Sequence, residues 1–392
     1  MSTTDTAVAA VLEKVSALAP ALRASGPENE ERRWISDEDV KHLDEAGVFR
    51  LSVPARFGGI DAPIARTAEV LNAIARAETA TGWVSMLWVS SAWVLTFFPD
   101  RAQEEVFAAG SVRASTGFTP TGTLAPSGDA YVLNGSWKWL TGVRGSDWAI
   151  LAALLPGADG TPAPFAAVVP VAELDIVDDW HASSAAATGS SSVTAENVTV
   201  PAHRVVSLIE ILGGVTGDRS NTGANGRNYG FIPTITTLAT SSYIGIAKGA
   251  YELFLERVQG RGITYTSWTE QKLSPVTQIQ VATAANKIAA AEALQAGQLT
   301  GLQAHADAGT LPSVDERAAS RGQGAYAIQL AKEAVDVLFE ASGASAIQRD
   351  VPIQRYHRDI TGLSLHAMFA FNTNQEVHGR ALLGLAPDTP FL

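Results

Sequence analysis

A chain of 392 residues, 46% hydrophobic and 17% charged, is long enough for two or three domain-sized units around a substantial core. Its formal net charge of −12, with no Lys/Arg stripe or basic tail, argues against nucleic acid or an anionic membrane as the main partner. The absence of cysteine excludes disulfides, cysteine-ligated zinc, iron–sulfur clusters and thiol nucleophiles together. No secretion-type pattern opens the chain, and the apolar run Trp83–Phe98 is broken by serines and stops at Pro99-Asp100. A cytoplasmic protein is expected.

From Ala7 to Arg23 apolar residues recur at helical spacing, and the charged run ENEERRW (28–34) reads as a loop or a helix start. Asp37 opens a short amphipathic helix ending near Gly47, followed by extended chain and turn through VFRLSVPARFGG. Pro63 to Ala80 reads as a helix with an alanine-rich face. Thr81 to Phe98 reads as a nearly all-apolar helix, which must be buried. Pro99-Asp100 starts another, ending at Gly110. Residues 1–111 are thus expected to form a helical domain.

Between 112 and 212 the period changes to that of strands, and a β-domain is expected. Asn134-Gly135 is a hairpin signal, since both central positions of a type I′ turn need positive φ. Simple alternation after it puts Trp137, Trp139 and Thr141 on one face, suited to a flat, partly polar ring. Cross-strand core pairing of the two indoles is the plainer alternative. Residues 213–230, GGVTGDRSNTGANGRNYG, carry no periodicity and read as a linker or a lid. Helical pattern returns over 231–392. Ser313 and Glu316 make a capping box, and Ile328, Ala331, Val335, Leu338 and Phe339 form one stripe ending at Gly343. Alanine-rich seams predict closely approaching bundle helices. The fold class is mainly α with a central β-domain.

That order, with RFGGI (56–60), NGSWKWLTG (134–142), SSSVTAENVTVPAHRVV (190–206) and QRYHRDITG (354–362) in sequence, resembles the acyl-CoA dehydrogenase superfamily over essentially the whole chain. The resemblance implies an N-terminal helical domain, a β-barrel or sandwich and a C-terminal four-helix bundle. It also implies flavin between the last two, usually in a homotetramer. The dehydrogenases take a substrate proton with a glutamate shortly after the Arg-Asp of the last signature. Here Arg358-Asp359 is followed by ITGLSLHAMFAFN, whose first ionisable side chain is His366, while Glu376 lies much further on. An imidazole in that region is similar to the two-component (group D) flavin-dependent monooxygenase branch, as is the tail NTNQEVHGRALLGLAPDTPFL.

The resemblance implies an oxygenase that takes reduced flavin (FADH2 or FMNH2) from a separate NAD(P)H:flavin reductase and uses O2 to hydroxylate an aromatic or polycyclic, phenol- or indole-like substrate. It makes His366 the base and Thr141 the hydrogen-bonding hydroxyl, with Trp139 against the ring. Ser115, Phe118 and Thr119 approach the flavin from the neighbouring strand, Arg261 pairs with flavin phosphate, often across a subunit boundary, and Asn374 also belongs to the cofactor site. Trp83, Trp88 and Trp93 favour an apolar pocket. Each residue also has a plain reading: Thr141 as a β-branched strand residue, His366 as a core histidine, Arg261 as a helix-end cation. The seven histidines show no metal-ligand spacing, and no metal is expected. Three other readings stay open: N-oxygenation of an amine or amino sugar, an acyl-CoA dehydrogenase-type flavoprotein with a relocated base, and a non-catalytic structural or flavin-storing relative that keeps the fold.

Overall fold

The computed structural model describes residues 3–157, 160–214 and 229–392. Five helices come first: α1 (Thr3–Arg32), α2 (Asp37–Ala46), α3 (Ile64–Ala77), α4 (Thr79–Leu95) and α5 (Asp100–Val106). The charged run 28–34 is no loop; its residues through Arg32 are the last turns of α1, which stops where Arg33 enters the left-handed region (φ 59°). Tertiary partners hold these polar residues in the helix. Buried Asn29 donates to Asp39 Oδ2 (3.2 Å), and Glu30 accepts from Arg358 (2.7 Å). Helix α2 matches its reading, with Ser36 accepting from Asp39 N–H and Gly47 (φ 93°) closing the C-terminus. Helix α4 is buried on every side except at Leu87, as its uniform hydrophobicity requires.

Seven strands follow: β1 (Ala114–Ser127), β2 (Ala130–Leu140), β3 (Trp148–Pro156), β4 (Pro162–Pro170), β5 (Asp175–Val177), β6 (Ser191–Pro201) and β7 (Val205–Ser207). They form one sheet in the order β5-β6-β2-β1-β3-β4-β7, antiparallel except for β1 beside β3. Strand β3 shows the period of two cleanly. Ile150 and Ala152 join the core shared with the helices, while Ala149, Leu151 and Ala153 join a second core on the other face. The hairpin expected at Asn134-Gly135 is absent. The β1–β2 turn is at Gly128-Asp129, and Asn134-Gly135 lies inside β2 where its pairing with β6 shifts register. Asn134 bonds Asn197 in place of turning the chain (Asn197 N to Asn134 Oδ1, 2.7 Å), and Gly135 is required because a Cβ there would lie 2.6 Å from Gly122 Cα. The pair marks a bulge rather than a reversal.

After the short α6 (Leu208–Leu212) come α7 (Phe231–Arg257), α8 (Pro275–Asp307), α9 (Val314–Ala341), α10 (Ile353–Leu363) and α11 (Phe371–Leu382). The linker or lid reading falls mainly on residues 215–228, outside those described. The Ser313/Glu316 capping box forms reciprocally at the start of α9. In the stripe Ile328, Ala331, Val335 and Leu338 are buried, and Phe339 is half-buried, stacked on His357 at 4.1 Å. Close approach is achieved by glycine as well as alanine. A Cβ on Gly245 or Gly249 of α7 would lie 2.4 Å from the carbonyls of Asn72 and Arg76 on α3.

Candidate active site

The end of β2 departs from simple alternation, and that departure builds the site. Trp137 is 1% exposed, and its indole Nε1 donates to Ala152 O at 2.7 Å. A Cβ on Gly122 would lie 2.2 Å from its ring, so glycine there makes its slot. Pairing with β6 then slips between Trp137 and Leu140. Trp139 takes φ 64° and stands 67% exposed. The expectation that Trp137 and Trp139 share a face is therefore corrected: the bulge turns one indole into the core and the other out. A bulky residue in the left-handed region is an outlier that costs about 1–2 kcal/mol. The result is a flat aromatic surface left open beside Thr141 in sequence.

Two residues on, half-buried Thr141 sits between two hydroxyl chains. Its carbonyl accepts from fully buried Ser115 Oγ (2.6 Å), which also meets Ser146 Oγ (2.8 Å), the acceptor for Trp88 Nε1 (2.8 Å). Its own Oγ1 lies 2.8 Å from Ser190 Oγ, itself 2.7 Å from Thr188 Oγ1. On β1 the pairing with β3 breaks between Gly117 and Gly122, which frees Phe118 and Thr119 from regular alternation. Phe118 meets Phe231, at the start of α7, edge-on at 5.2 Å; Thr119 is exposed.

His366 lies in the 364–370 connection between α10 and α11. Trp83 and Phe369 flank it at 6.2 and 5.0 Å between ring centroids, and Tyr243 touches both of those rings (5.6 and 6.0 Å). His366 is exposed, yet the protein packed around its ring lowers its pKa below the ordinary 6.5 by desolvation. Met368 N–H donates to Nδ1 (3.2 Å), so the neutral ring carries its proton on Nε2. Buried Asn374 holds this connection: its amide donates to Met368 O (3.1 Å) and Ala370 O (2.8 Å), and its oxygen accepts from buried Arg321 Nε (2.7 Å). Arg321 also donates to the Phe391 carbonyl. Of the three tryptophans of α4, Trp83 faces His366, Trp88 faces Ser146, and Trp93 packs on Phe97 and Phe231.

The QRYHRDITG segment is a clasp. Tyr356 OH donates to Arg76 O and Ala77 O (3.0 and 2.6 Å) at the end of α3, and buried Arg355 Nε faces buried Glu78 Oε1 at 3.7 Å. Asp359 accepts from Thr79 Oγ1 and from Ala185 N–H (2.6 Å). Burial, reinforced by nearby Glu78, pushes the Asp359 carboxyl from 3.8 up to about 6 against the opposing pull of its hydrogen bonds. A raised folded-state pKa means that the stability Asp359 confers is complete below its unfolded pKa and lost as pH rises through about 6. A shift of about two units corresponds to roughly 3 kcal/mol. Asp359→Asn, whose amide oxygen can still accept from Ala185, should flatten the fall in denaturation midpoint between about pH 4 and 7; an unchanged slope would refute this origin.

Arg261 is at the other end of α7. It donates to Ser342 O (3.3 Å) and Ser345 Oγ (3.2 Å), and Arg257 reaches the same Ser345 Oγ (2.7 Å). Burial and then the charge of Arg261 lower the Arg257 pKa, the signature of two cations converging without full compensation. The 27 residues of α7, at about 1.5 Å each, put roughly 40 Å between Phe231 and this pair. Thr141, Ser115 and Trp139 are thus brought together by β1 and β2. His366 and Asn374 form a second group, joined to the first through α4: Trp83 meets His366, and a Cβ on Gly142 would meet Trp88 and Val84 at 2.8 and 3.0 Å. Arg261 joins neither. Ser146, Thr188, Ser190 and Arg257 were not singled out from the sequence; SSS at 190–192, within a quoted motif, was the signal available for Ser190.

With this geometry in view, likeness to known proteins fixes the class. Residues 238–371 match the family of the acyl-CoA dehydrogenase C-terminal domain. The chain is 30% identical over 379 residues to the oxygenase subunit HsaA of a flavin-dependent monooxygenase from Mycobacterium tuberculosis, covering 96% of each. It is 28% identical to the oxygenase component of an FADH2-dependent resorcinol hydroxylase from Rhizobium, covering 95% of this chain and 94% of that one. The structure of XiaF from Streptomyces, solved with FADH2 and glycerol, superposes with a TM-score of 0.93 at 29% identity over 99% and 98% of the two chains. The fold is that of the acyl-CoA dehydrogenases. The chain belongs to the oxygenase components of two-component flavin-dependent monooxygenases, which work with reduced flavin, O2 and a separate reductase.

Proposed function

We propose that this oxygenase hydroxylates an aromatic, phenol- or indole-like substrate held between Trp139–Thr141 and His366. The observation that carries this reading is His366 beside the rings of Trp83 and Phe369, where a dehydrogenase would need a carboxylate. Relatives named as hydroxylases of resorcinol and p-hydroxyphenylacetate and as an indole-3-acetate monooxygenase support the substrate class.

The residues present fit a flavin ring. Trp139 offers an exposed indole, Thr141 a hydroxyl beside it, and Phe118 an apolar edge. When bound, reduced flavin supplies the electrons that activate O2. This chain's residues do the rest. Trp139, Phe118 and Thr141 orient the ring, and Trp83, Tyr243 and Phe369 exclude water around the substrate. His366 holds the substrate's O–H or N–H. On release of the Met368 N–H contact its Nδ1 accepts the substrate's proton, and the resulting Nδ1–H⁺ stays hydrogen-bonded to the phenolate oxygen left behind, which raises the ring carbon's nucleophilicity. Asn374 keeps that loop in register and serves the cofactor site by doing so.

Arg257 and Arg261 suit a flavin phosphate, but at one helix length from the ring site they serve a partner's flavin. A homotetramer is part of this reading, supported by exposed Leu273, Val276 and Ile279 close to Arg261 in sequence and by exposed Leu382 and Leu383. No helix among the described residues is long and apolar enough to cross a membrane, and a cytoplasmic setting completes the reading. Light scattering in solution should give four chains; a monomer would remove the shared site.

The test is turnover with a flavin reductase, NADH and O2 against small phenols and indoles. Product carrying one added oxygen is expected. Oxygen consumption that yields hydrogen peroxide alone with every aromatic, and product with an amine, would replace the reading. Trp139→Gly should weaken flavin binding at least tenfold while leaving stability unchanged or slightly raised. Relief of about 1–2 kcal/mol of strain outweighs or offsets a glycine entropy cost of about 0.5–1 kcal/mol. Flavin titration and urea unfolding read the two effects, and a stability loss beyond the glycine cost would contradict the strain.

A further inference from the structure

The hydroxyl chain behind Thr141 has a fixed direction. Thr188 Oγ1 lies 2.8 Å from the carbonyl of Ala185. A carbonyl cannot donate, so the single hydroxyl hydrogen of Thr188 is committed there. The 2.7 Å contact between Thr188 Oγ1 and Ser190 Oγ must then be filled by the hydrogen of Ser190. With that hydrogen spent, the 2.8 Å contact between Ser190 Oγ and Thr141 Oγ1 takes the hydrogen of Thr141. Thr188 and Ser190 are 1% and 4% exposed, which limits water as a substitute partner that could reverse the order. The anchor is rigid as well: Ala185 sits in the left-handed region (φ 50°), with its N–H on Asp359 and its carbonyl also accepting Trp180 Nε1 (3.1 Å). What remains to Thr141 on its free side is a lone pair and no hydrogen.

We propose that Thr188 and Ser190 are positioning residues that lock the Thr141 hydroxyl as a hydrogen-bond acceptor, so that the site selects a ring presenting N–H over one presenting a lone pair. The inference rests on the placement of the flavin against Thr141 given above and takes N5 as the ring atom that faces its hydroxyl. Reduced flavin carries a hydrogen on N5; oxidised flavin carries a lone pair there. An acceptor-only hydroxyl bonds the first and repels the second, so the chain that orients Thr141 also sets which redox form of the cofactor is taken and which is given up. A donor-capable threonine would accept either.

The experiment compares equilibrium dissociation constants for oxidised and anaerobically reduced flavin, without turnover. The native protein should bind the reduced form more tightly. Ser190→Ala frees the Thr141 hydrogen, and the preference should fall about tenfold, chiefly through tighter binding of oxidised flavin. Ser190→Thr, which keeps a hydroxyl, should restore it. Thr188→Val provides a second route, because Ser190 can then donate toward Thr141 and release its hydrogen. Thr141→Val should lower the preference through weaker binding of the reduced form. A preference that moves in Thr141→Val but stays at the native value in folded Ser190→Ala and Thr188→Val overturns the proposal and leaves the flavin site standing. A native protein that binds neither form, or a Thr141→Val variant with native constants, overturns the flavin placement itself.

Discussion

Replacing His366 with alanine should slow hydroxylation by about 10²–10⁴-fold at neutral pH, the usual worth of a positioned proton-transfer group. Flavin binding should persist, because Trp139 and the hydroxyls around Thr141 lie on separate elements from the 364–370 connection. The pH profile separates this from general damage. Desolvation by the protein packed around the exposed ring holds the imidazole below its ordinary 6.5, so the native enzyme should keep a neutral His366, and its rate, into mildly acidic solution. The variant should recover as pH approaches the intrinsic ionisation of a phenol near ~10, where solvent does the work of the side chain. Loss of flavin affinity in step with rate, or a pH profile parallel to the native one, would show that His366 holds the loop and nothing more.

Arg355→Met should destabilise the protein by about 3–5 kcal/mol, the cost of leaving the other member of a buried ion pair unaccompanied. Arg355 and Glu78 are 3% and 0% exposed. The guanidinium lies directly over Gly26 of α1, where a Cβ would come within 2.2 Å of it. Glu78 also caps α4, accepting from Thr81 N–H (2.7 Å) and Oγ1 (2.8 Å), so the charge left behind cannot turn to solvent without unravelling that helix start. The double variant Arg355→Met with Glu78→Gln should regain most of the loss, because no charge is then buried. Urea unfolding at constant m-value checks both, and a single-variant loss under 1 kcal/mol would show that Glu78 is accommodated without its partner.

The helical parts were legible because their signals are local and strong: the apolar envelope of α4, the Ser313/Glu316 box, the Asp37–Gly47 pair. The β segment was legible as strands but not in its turns. Asn134-Gly135 carries the composition of a reversal, yet its glycine is demanded by Gly122 across the sheet, a contact of high sequence separation. The same bulged pairing defeated alternation at Trp139. For the proposed site, resemblance offered Thr141 and His366 as candidates but gave no sign of the hydroxyl contacts that Ser190 and Thr188 make behind Thr141. A buried serine in SSS looks like any other until a neighbouring carbonyl fixes where its hydrogen goes. The charged end of α1 failed for the same reason, since its partners Asp39 and Arg358 come from other elements.

Helix α4 presents Trp83 to His366 and, five positions later, Trp88 to the serine beneath Thr141. At about 1.5 Å of rise and 100° of turn per residue, the two indoles leave the helix some 7–8 Å apart along its axis and on different faces. A helix buried on nearly every side stretches very little, so a larger or smaller aromatic cannot be admitted by spreading the walls. On the proposed function, a change of diet then comes from trading side chains along α4, with Trp83 the first to exchange.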